Sequence, residues 1–103
     1  MERRKHPRVR FQCEVWFPGE EMSAACTLSD LAVRGCKVES NASVYVGMYL
    51  TMRVCLPGQE ATLQVDQAAV RWAKEQEFGI EFISMRPEEE ARLRRFVSTL
   101  EAR

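Results

Sequence analysis

Apolar and polar residues alternate almost strictly over residues 9–17, near the start of the chain. One face of this segment carries Val9, Phe11, Cys13, Val15 and Phe17, and the other carries Arg10, Gln12, Glu14 and Trp16. A period of two is typical of a β-strand with one buried face. Shorter or less regular segments of the same kind predict further strands at residues 22–29, 36–39, 48–56, 60–74 and 78–83.

Two departures from this alternation refine the prediction. Residues 30–35 interrupt it, so we expect a loop between the second and third strands. Residues 60–74 are long for one strand, which predicts a bulge or bend near Asp66-Gln67. Beyond that bend, the alternation places Val70 and Trp72 on the same face of the strand.

The period of the pattern changes after residue 86, which predicts a C-terminal helix over residues 87–101. Pro87 suits the first helical position, and Glu88 to Glu90 suit the positive N-terminal end of a helix dipole. One apolar stripe follows the spacing i, i+3, i+4, i+7, with Leu93, Phe96, Val97 and Leu100. We expect the basic residues of the helix, Arg92, Arg94 and Arg95, to face solvent.

Six short strands followed by one amphipathic helix indicate an all-β fold, a six-stranded antiparallel β-barrel with a C-terminal α-helix. Closure into a small barrel removes the exposed edges that an open sheet of such strands would leave. A length of 103 residues is that of a single domain. We divide it into a flexible basic arm at 1–8, a barrel at 9–84 and a helix at 87–101.

Charge is balanced overall, with 15 basic and 15 acidic residues, but residues 2–10 hold five basic side chains and one acid. This distribution indicates a local anion site and not a broad nucleic-acid surface, so we expect no nucleic-acid partner. No apolar run approaches the roughly 18 residues of a membrane span. No apolar segment follows the basic start as in a secretory signal. We therefore expect a cytoplasmic protein that does not insert into membranes.

The residues that carry metal-binding or catalytic chemistry are sparse. The chain has four cysteines without a Cys-x-x-Cys pair, and its one histidine is His6. Zinc sites need clustered cysteine and histidine ligands, so we expect no metal, and the cysteines are predicted to be small buried hydrophobic residues. No nucleophile–base pairing or Walker-type phosphate loop is present. We expect neither enzymatic activity nor a cofactor.

Three short motifs follow one another along the chain. The first is Arg-x-x-x-Arg, with Arg4 and Arg8 as its fixed positions. The second is Asp30-Leu31-Ala32-Val33-Arg34-Gly35. The third combines Ala69-Val70-Arg71-Trp72 with Phe78-Gly79-Ile80-Glu81-Phe82. Together they resemble the PilZ domain family, whose marks are Arg-x-x-x-Arg and Asp/Asn-x-Ser-x-x-Gly. Ala32 stands where the family has serine.

The resemblance implies a bacterial receptor for the second messenger cyclic di-GMP. The ligand would be held by Arg3, Arg4, Arg8, Asp30, Ala32 and Gly35, with Arg34 and Trp72 as weaker candidates. Guanidinium groups match phosphate oxygens and the guanine edge, and a carboxylate accepts from guanine N1–H and N2–H. Gly35 would allow close backbone approach. For Trp72, contact with a base and simple barrel packing are equally open.

Two details of the motifs bear on affinity and stoichiometry. The missing serine hydroxyl removes a neutral hydrogen bond of about 0.5–1.5 kcal/mol. Charge-assisted bonds from Arg4, Arg8 and Asp30 are roughly twice as strong, so Ala32 is expected to weaken binding and not to abolish it. In the family, an arginine just before the first motif accompanies two stacked ligand molecules. Arg3 therefore implies two cyclic di-GMP per chain.

On this resemblance, ligand binding would fold the arm against the barrel and change the surface that a partner protein meets. The expected partner belongs to motility, adhesion or exopolysaccharide machinery. One alternative is a degenerate PilZ-like adaptor that binds proteins but not cyclic di-GMP, which Ala32 supports. Another is a small barrel that binds single-stranded nucleic acid through basic and aromatic side chains, with steep salt dependence.

Overall fold

The computed structural model describes residues 11–18, 24–40 and 43–101. Within them lie six strands and one helix: β1 (Phe11–Trp16), β2 (Ala24–Ala32), β3 (Gly35–Glu39), β4 (Tyr49–Val54), β5 (Leu63–Ala73), β6 (Glu77–Ser84) and α1 (Pro87–Glu101). All neighbouring strands are antiparallel, and they close into a barrel in the order β1-β2-β3-β6-β5-β4. The predicted fold class is confirmed. The predicted arm at 1–8 lies outside the described residues.

Inward-facing side chains fill the barrel, as expected for a barrel this small. The largest fully buried side chains of the core are Phe17, Phe78, Leu28, Met52, Leu56 and Leu63, together with Leu93 of the helix. Burial of each stabilises the fold by about 1.5–3 kcal/mol. Cys13 and Cys36 are buried in this core, while Cys55 is half-buried. For these three cysteines, the predicted role as small packing residues agrees with their partial or full burial.

The helix packs on β5 through its predicted apolar stripe. Leu93 and Val97 are buried, and Phe96 packs against the core. β6 pairs with β5 only from Gln67 onward, which leaves the first residues of β5 without a strand neighbour on that side. The Glu89 carboxylate accepts the Gln64 backbone N–H there at 2.7 Å. The helix thus takes the place of missing strand pairing. No described helix is long and apolar enough to cross a membrane.

The orientation predicted for Arg92 is wrong. Its guanidinium is half-buried and donates to the carbonyl oxygens of Thr62 at 3.0 Å and Ala61 at 2.7 Å. It also donates to the Gln59 side chain at 2.8 Å. These groups belong to the segment before β5, so Arg92 ties that segment to the helix. Arg94 and Arg95 face solvent as predicted.

The bulge predicted at Asp66-Gln67 is confirmed. Leu50 pairs with Ala68 and Met52 with Val65, so β5 holds one residue more than β4 across this stretch. An extra residue of this kind bends the strand and lets a long strand follow the curvature of a barrel. The unusual length of this strand in the sequence therefore predicted the bulge for the correct physical reason.

The loop predicted at residues 30–35 is wrong in its extent. β2 continues to Ala32 and β3 begins at Gly35, so only Val33 and Arg34 form the turn. The alternation fails because β2 contains a bulge. Ser29 pairs with Lys37 and Ala32 with Gly35, which inserts one extra residue on β2. The extra residue shifts the period of two by one position, and this shift resembles a loop in the sequence.

A second unpredicted bulge lies on β5. Val70 pairs with Ile80 and Trp72 with Gly79, which leaves Arg71 as the extra residue. Val70 therefore faces the core while Trp72 is exposed on the outside. The prediction that these two residues share a face is wrong, because alternation across a bulge reverses the face of every residue beyond it.

Candidate ligand-binding groove

A shallow groove of about 220 Å³ crosses the outside of the barrel. We call it the outer groove; it is lined by Asp30, Cys36, Lys37, Arg71, Trp72, Gly79 and Ile80. These residues come from four strands, β2, β3, β5 and β6. The barrel thus brings together Asp30 and Trp72, two predicted site residues that lie far apart in the sequence. Two basic residues join them, Lys37 and Arg71.

Trp72 owes its position to the Arg71 bulge and to a glycine beneath it. Trp72 pairs with Gly79, which pairs in turn with Lys37 on β3. A Cβ at Gly79 would lie 2.5 Å from Cε2 of the indole, so only glycine leaves room for the ring. The side chain remains 37% exposed, and the Lys74 ammonium lies 5.7 Å from the ring centroid. A partly exposed aromatic plate of this kind can stack on a nucleobase.

Asp30 sits at the β2 bulge with a φ of +53°. This left-handed conformation is unfavourable for most side chains but is tolerated by aspartate and asparagine, whose short polar groups can bond locally. The residue after it, Leu31, is buried in the core and fixes the bulge from inside. The backbone therefore presents the Asp30 carboxyl group to the outer groove instead of leaving it on a mobile loop.

The other residues of the second motif lie beside the groove and not in its lining. Ala32 pairs with Gly35, and Gly35 pairs with Glu81 of β6. A Cβ at Gly35 would collide with the carbonyl oxygen of Ile80 and lie 3.1 Å from its carbonyl carbon. Gly35 therefore permits the close approach of the β3 backbone to the β6 backbone at Ile80. The packing of the two strands therefore explains why residue 35 is glycine.

Arg34 occupies the exposed turn between β2 and β3. Its carbonyl oxygen accepts the Phe82 backbone N–H at 2.7 Å, which ties the turn to β6. The Arg34 side chain is not part of the groove lining. The predicted contacts of Arg3, Arg4 and Arg8 fall outside the described residues.

Lys37 and Arg71 were not predicted as site residues. Each lies beside a carboxylate: Lys37 Nζ is 3.5 Å from Glu77 Oε1, and Arg71 Nε is 2.6 Å from Glu81 Oε1. Lys37 could have been found from sequence, because it alternates with two apolar neighbours in the predicted third strand and must face outward. The outward orientation of Arg71 also follows from its alternation with the apolar Val70. Its place beside Trp72 on one face does not, because that depends on the bulge.

Ser29 is the residue that precedes Asp30, and its hydroxyl has an unusual environment. The residue is only 2% exposed, and among the described residues its Oγ is the one buried side-chain polar atom without a hydrogen-bond partner. Because it pairs with Lys37, it points to the outer face of β2. A buried hydroxyl without a partner carries a desolvation cost of about 1–3 kcal/mol.

A second cavity, of about 720 Å³, opens near the β5–β6 turn. Its lining is Thr27, Glu39, Ser40, Lys74, Glu75, Gln76 and Glu77. Three acids against one base make it unsuited to an anionic ligand. In the part of the chain that the structure describes, no group of histidine, cysteine and acidic residues could hold a metal ion. The outer groove is therefore the better candidate site.

A family model of the PilZ domain matches residues 2–99. The chain belongs to the PilZ domain family. This match covers the motifs described above, and it confirms the resemblance noted in the sequence. PilZ domains are receptor or adaptor modules, and nothing in the match indicates catalytic activity. No curated protein shows a significant match to the chain.

Among solved structures, this PilZ domain is similar to the inhibitor of motility MotI/DgrA of Bacillus subtilis. The two share 19% sequence identity with a TM-score of 0.69. The similarity covers 96% of this chain and 51% of that chain, so this chain spans about half of that protein. At this level of identity the comparison supports the barrel-and-helix fold.

Proposed function

We propose that this PilZ domain is a bacterial, cytoplasmic receptor that binds cyclic di-GMP at the outer groove. The observation that carries the proposal is the meeting of Asp30 and Trp72 in one groove with Lys37 and Arg71. Together these side chains offer an acceptor for guanine, a stacking surface and two cations for phosphate. A cyclic dinucleotide presents two guanines and two phosphates, so each chemical group of the ligand has a counterpart.

The role of each residue follows from its chemistry. The Asp30 carboxylate accepts from guanine N1–H and N2–H, and the Trp72 ring stacks on a base. Arg4 and Arg8 bind phosphate or the guanine edge as bidentate forks. Gly35 and Ala32 border the groove without contributing a polar side chain, and Arg34 is a peripheral candidate at its rim.

Covalent geometry supports a contribution from the first motif. Phe11, the first residue of β1, pairs with Leu28, which lies two residues before Asp30 on β2. Arg8 precedes Phe11 by three residues, and its Cα therefore lies within about 11 Å of that of Phe11. The two motifs can thus act on one ligand.

The proposed signal is a rearrangement of residues 1–8 around the ligand, which changes the surface offered to a partner protein. The partner is a component of motility, adhesion or exopolysaccharide machinery. The structural similarity to an inhibitor of motility makes motility the first process to examine. Arg3 supports a stoichiometry of two ligand molecules per chain.

A second candidate function is a PilZ adaptor that binds a protein partner without cyclic di-GMP. The observation in its favour is Ala32, which removes the motif hydroxyl from the edge of the groove. The charged residues of the motifs are intact, which favours the receptor. An adaptor would keep its partner contacts when the groove residues are changed.

Isothermal titration of cyclic di-GMP into the full chain tests the proposal, with GTP as the control ligand. A receptor gives saturable binding with a stoichiometry near two, and Arg8→Ala loses most of that binding. Arg94→Ala is the matched control, because Arg94 is an exposed arginine on α1 and does not line the outer groove. If the wild-type chain does not bind at high ligand concentration, the protein is instead an adaptor that does not bind cyclic di-GMP.

A further inference from the structure

Arg71 occupies a special position in β5, because it is the extra residue of the bulge between Val70 and Trp72. Its side chain is 51% exposed and lines the outer groove beside the indole. A guanidinium that lines the same groove as Trp72 is a candidate donor to the phosphate of a nucleotide that stacks on the ring. The bulge therefore adds a cation to the groove as well as turning the aromatic ring outward.

Glu81 holds this guanidinium in the ligand-free protein. Its Oε1 lies 2.6 Å from Arg71 Nε, and its side chain is 44% exposed. On β6, Glu81 pairs with Ala69 on one side and with Gly35 on the other. Neither neighbour has a side chain that extends beyond a methyl group, so the carboxylate stands between Arg71 and the second motif.

Both cations that line the groove already lie beside carboxylates before any ligand arrives. Among the described residues, Lys37 lies beside Glu77 and Arg71 beside Glu81, and Asp30 adds a further acid. A cyclic dinucleotide carries one negative charge on each of its two phosphates. The ligand must therefore displace a carboxylate from its cation, because otherwise the carboxylate repels the ligand phosphate. Exposed ion pairs contribute little to stability, so such an exchange of partners costs the fold little.

We propose that Arg71 binds a phosphate of the ligand and that Glu81 is an internal competitor that lowers the affinity. This inference rests on the proposed function, and it adds a residue pair that sets the ligand concentration to which the protein responds. In the ligand-free state Arg71 pairs with Glu81. In the bound state the guanidinium exchanges the carboxylate for a phosphate, whose oxygens can accept two of its N–H groups.

Titration of cyclic di-GMP into matched variants tests this inference. Glu81→Gln keeps the size of the side chain and removes its charge, so it is expected to tighten binding about 3- to 10-fold. Arg71→Ala is expected to weaken binding about 10-fold or more, because it removes a charge-assisted phosphate contact. The control pair is Glu90–Arg94 on α1, a similarly exposed ion pair with 3.7 Å between Arg94 Nη2 and Glu90 Oε2. Glu90→Gln and Arg94→Ala are expected to leave the affinity unchanged.

The outcomes separate this inference from the proposed function. Weaker or unchanged binding by Glu81→Gln would overturn the competitor role, and weaker binding together with lost preference over cyclic di-AMP would make Glu81 a guanine-binding residue instead. Unchanged binding by Arg71→Ala would overturn the phosphate contact. Failure of the proposed function would appear differently, as absence of binding by the wild-type chain. Thermal unfolding of each variant verifies that the fold is intact.

Discussion

The indole of Trp72 lies directly on Gly79, its cross-strand neighbour, and the ring occupies the space that a Cβ at residue 79 would need. The pair explains why an aromatic residue and a glycine face one another across β5 and β6. The glycine forms the floor of the outer groove, and the indole forms one wall. The position of the indole therefore depends on the glycine, and the requirement for glycine depends on the indole.

We expect Gly79→Ala to displace the indole and to damage the groove more than the fold. Overpacking of this kind costs about 1–3 kcal/mol in a buried site, and the partly exposed ring can move to relieve it. The expected result is a stability loss at the low end of that range with a clear loss of cyclic di-GMP affinity. Urea unfolding and ligand titration measure the two effects. The double variant Gly79→Ala/Trp72→Ala should recover stability but not binding, and failure to recover it would contradict the collision.

Asp30 allows the demands of the backbone to be separated from those of the ligand. Asp30→Asn keeps a residue that tolerates a φ of +53°, so the stability should change by less than about 1 kcal/mol while ligand affinity falls. Asp30→Val places a β-branched residue in the same conformation and should cost about 1–2 kcal/mol. Denaturant unfolding compares the two. Equal stability of both variants would show that the left-handed conformation is not required.

Ser29→Ala removes a buried hydroxyl that has no partner within the described structure. Because the desolvation cost disappears with the hydroxyl, we expect the free energy of unfolding to rise by about 1 kcal/mol. Ser84→Ala is the control, since Ser84 is exposed on β6 and such surface changes usually stay within about 0.5 kcal/mol. Thermal unfolding without ligand measures both. A loss of stability in Ser29→Ala would indicate that the hydroxyl has a stabilising partner.

Arg92 is expected to matter for stability although it lies on the polar side of the helix pattern. Arg92→Ala removes hydrogen bonds to Thr62, Ala61 and Gln59, and one such bond from a charged group contributes about 1.5–3 kcal/mol. Since the guanidinium is 21% exposed, we expect a total loss of about 2 kcal/mol. Arg94→Ala, two residues further along α1, should change stability by less than about 0.5 kcal/mol. Equal effects in urea unfolding would disprove the anchoring role of Arg92.

Local pattern was sufficient to predict the six strands, the C-terminal helix, the apolar stripe through Leu93 and Val97, and the bulge at Asp66-Gln67. It was also sufficient for the motifs that indicate the PilZ family. These features depend on residues close together in the chain: the period of alternation, the residues that begin a helix, and a strand too long for its barrel. Each can be recognised without knowing which strand lies beside which.

The tertiary structure alone decided the face that Trp72 occupies and the residues that share the groove with it. The bulges at Asp30 and Arg71 reverse the alternation, so Trp72 turns outward although the sequence pattern places it with Val70. The partner of Arg71, the collision that requires glycine at residue 35, and the anchoring of Arg92 likewise depend on neighbouring elements. Alternation is a property of one strand, whereas a bulge is defined only by the register between two strands. For that reason the sequence determined the elements and the motif residues, and the pairing of the strands determined the groove.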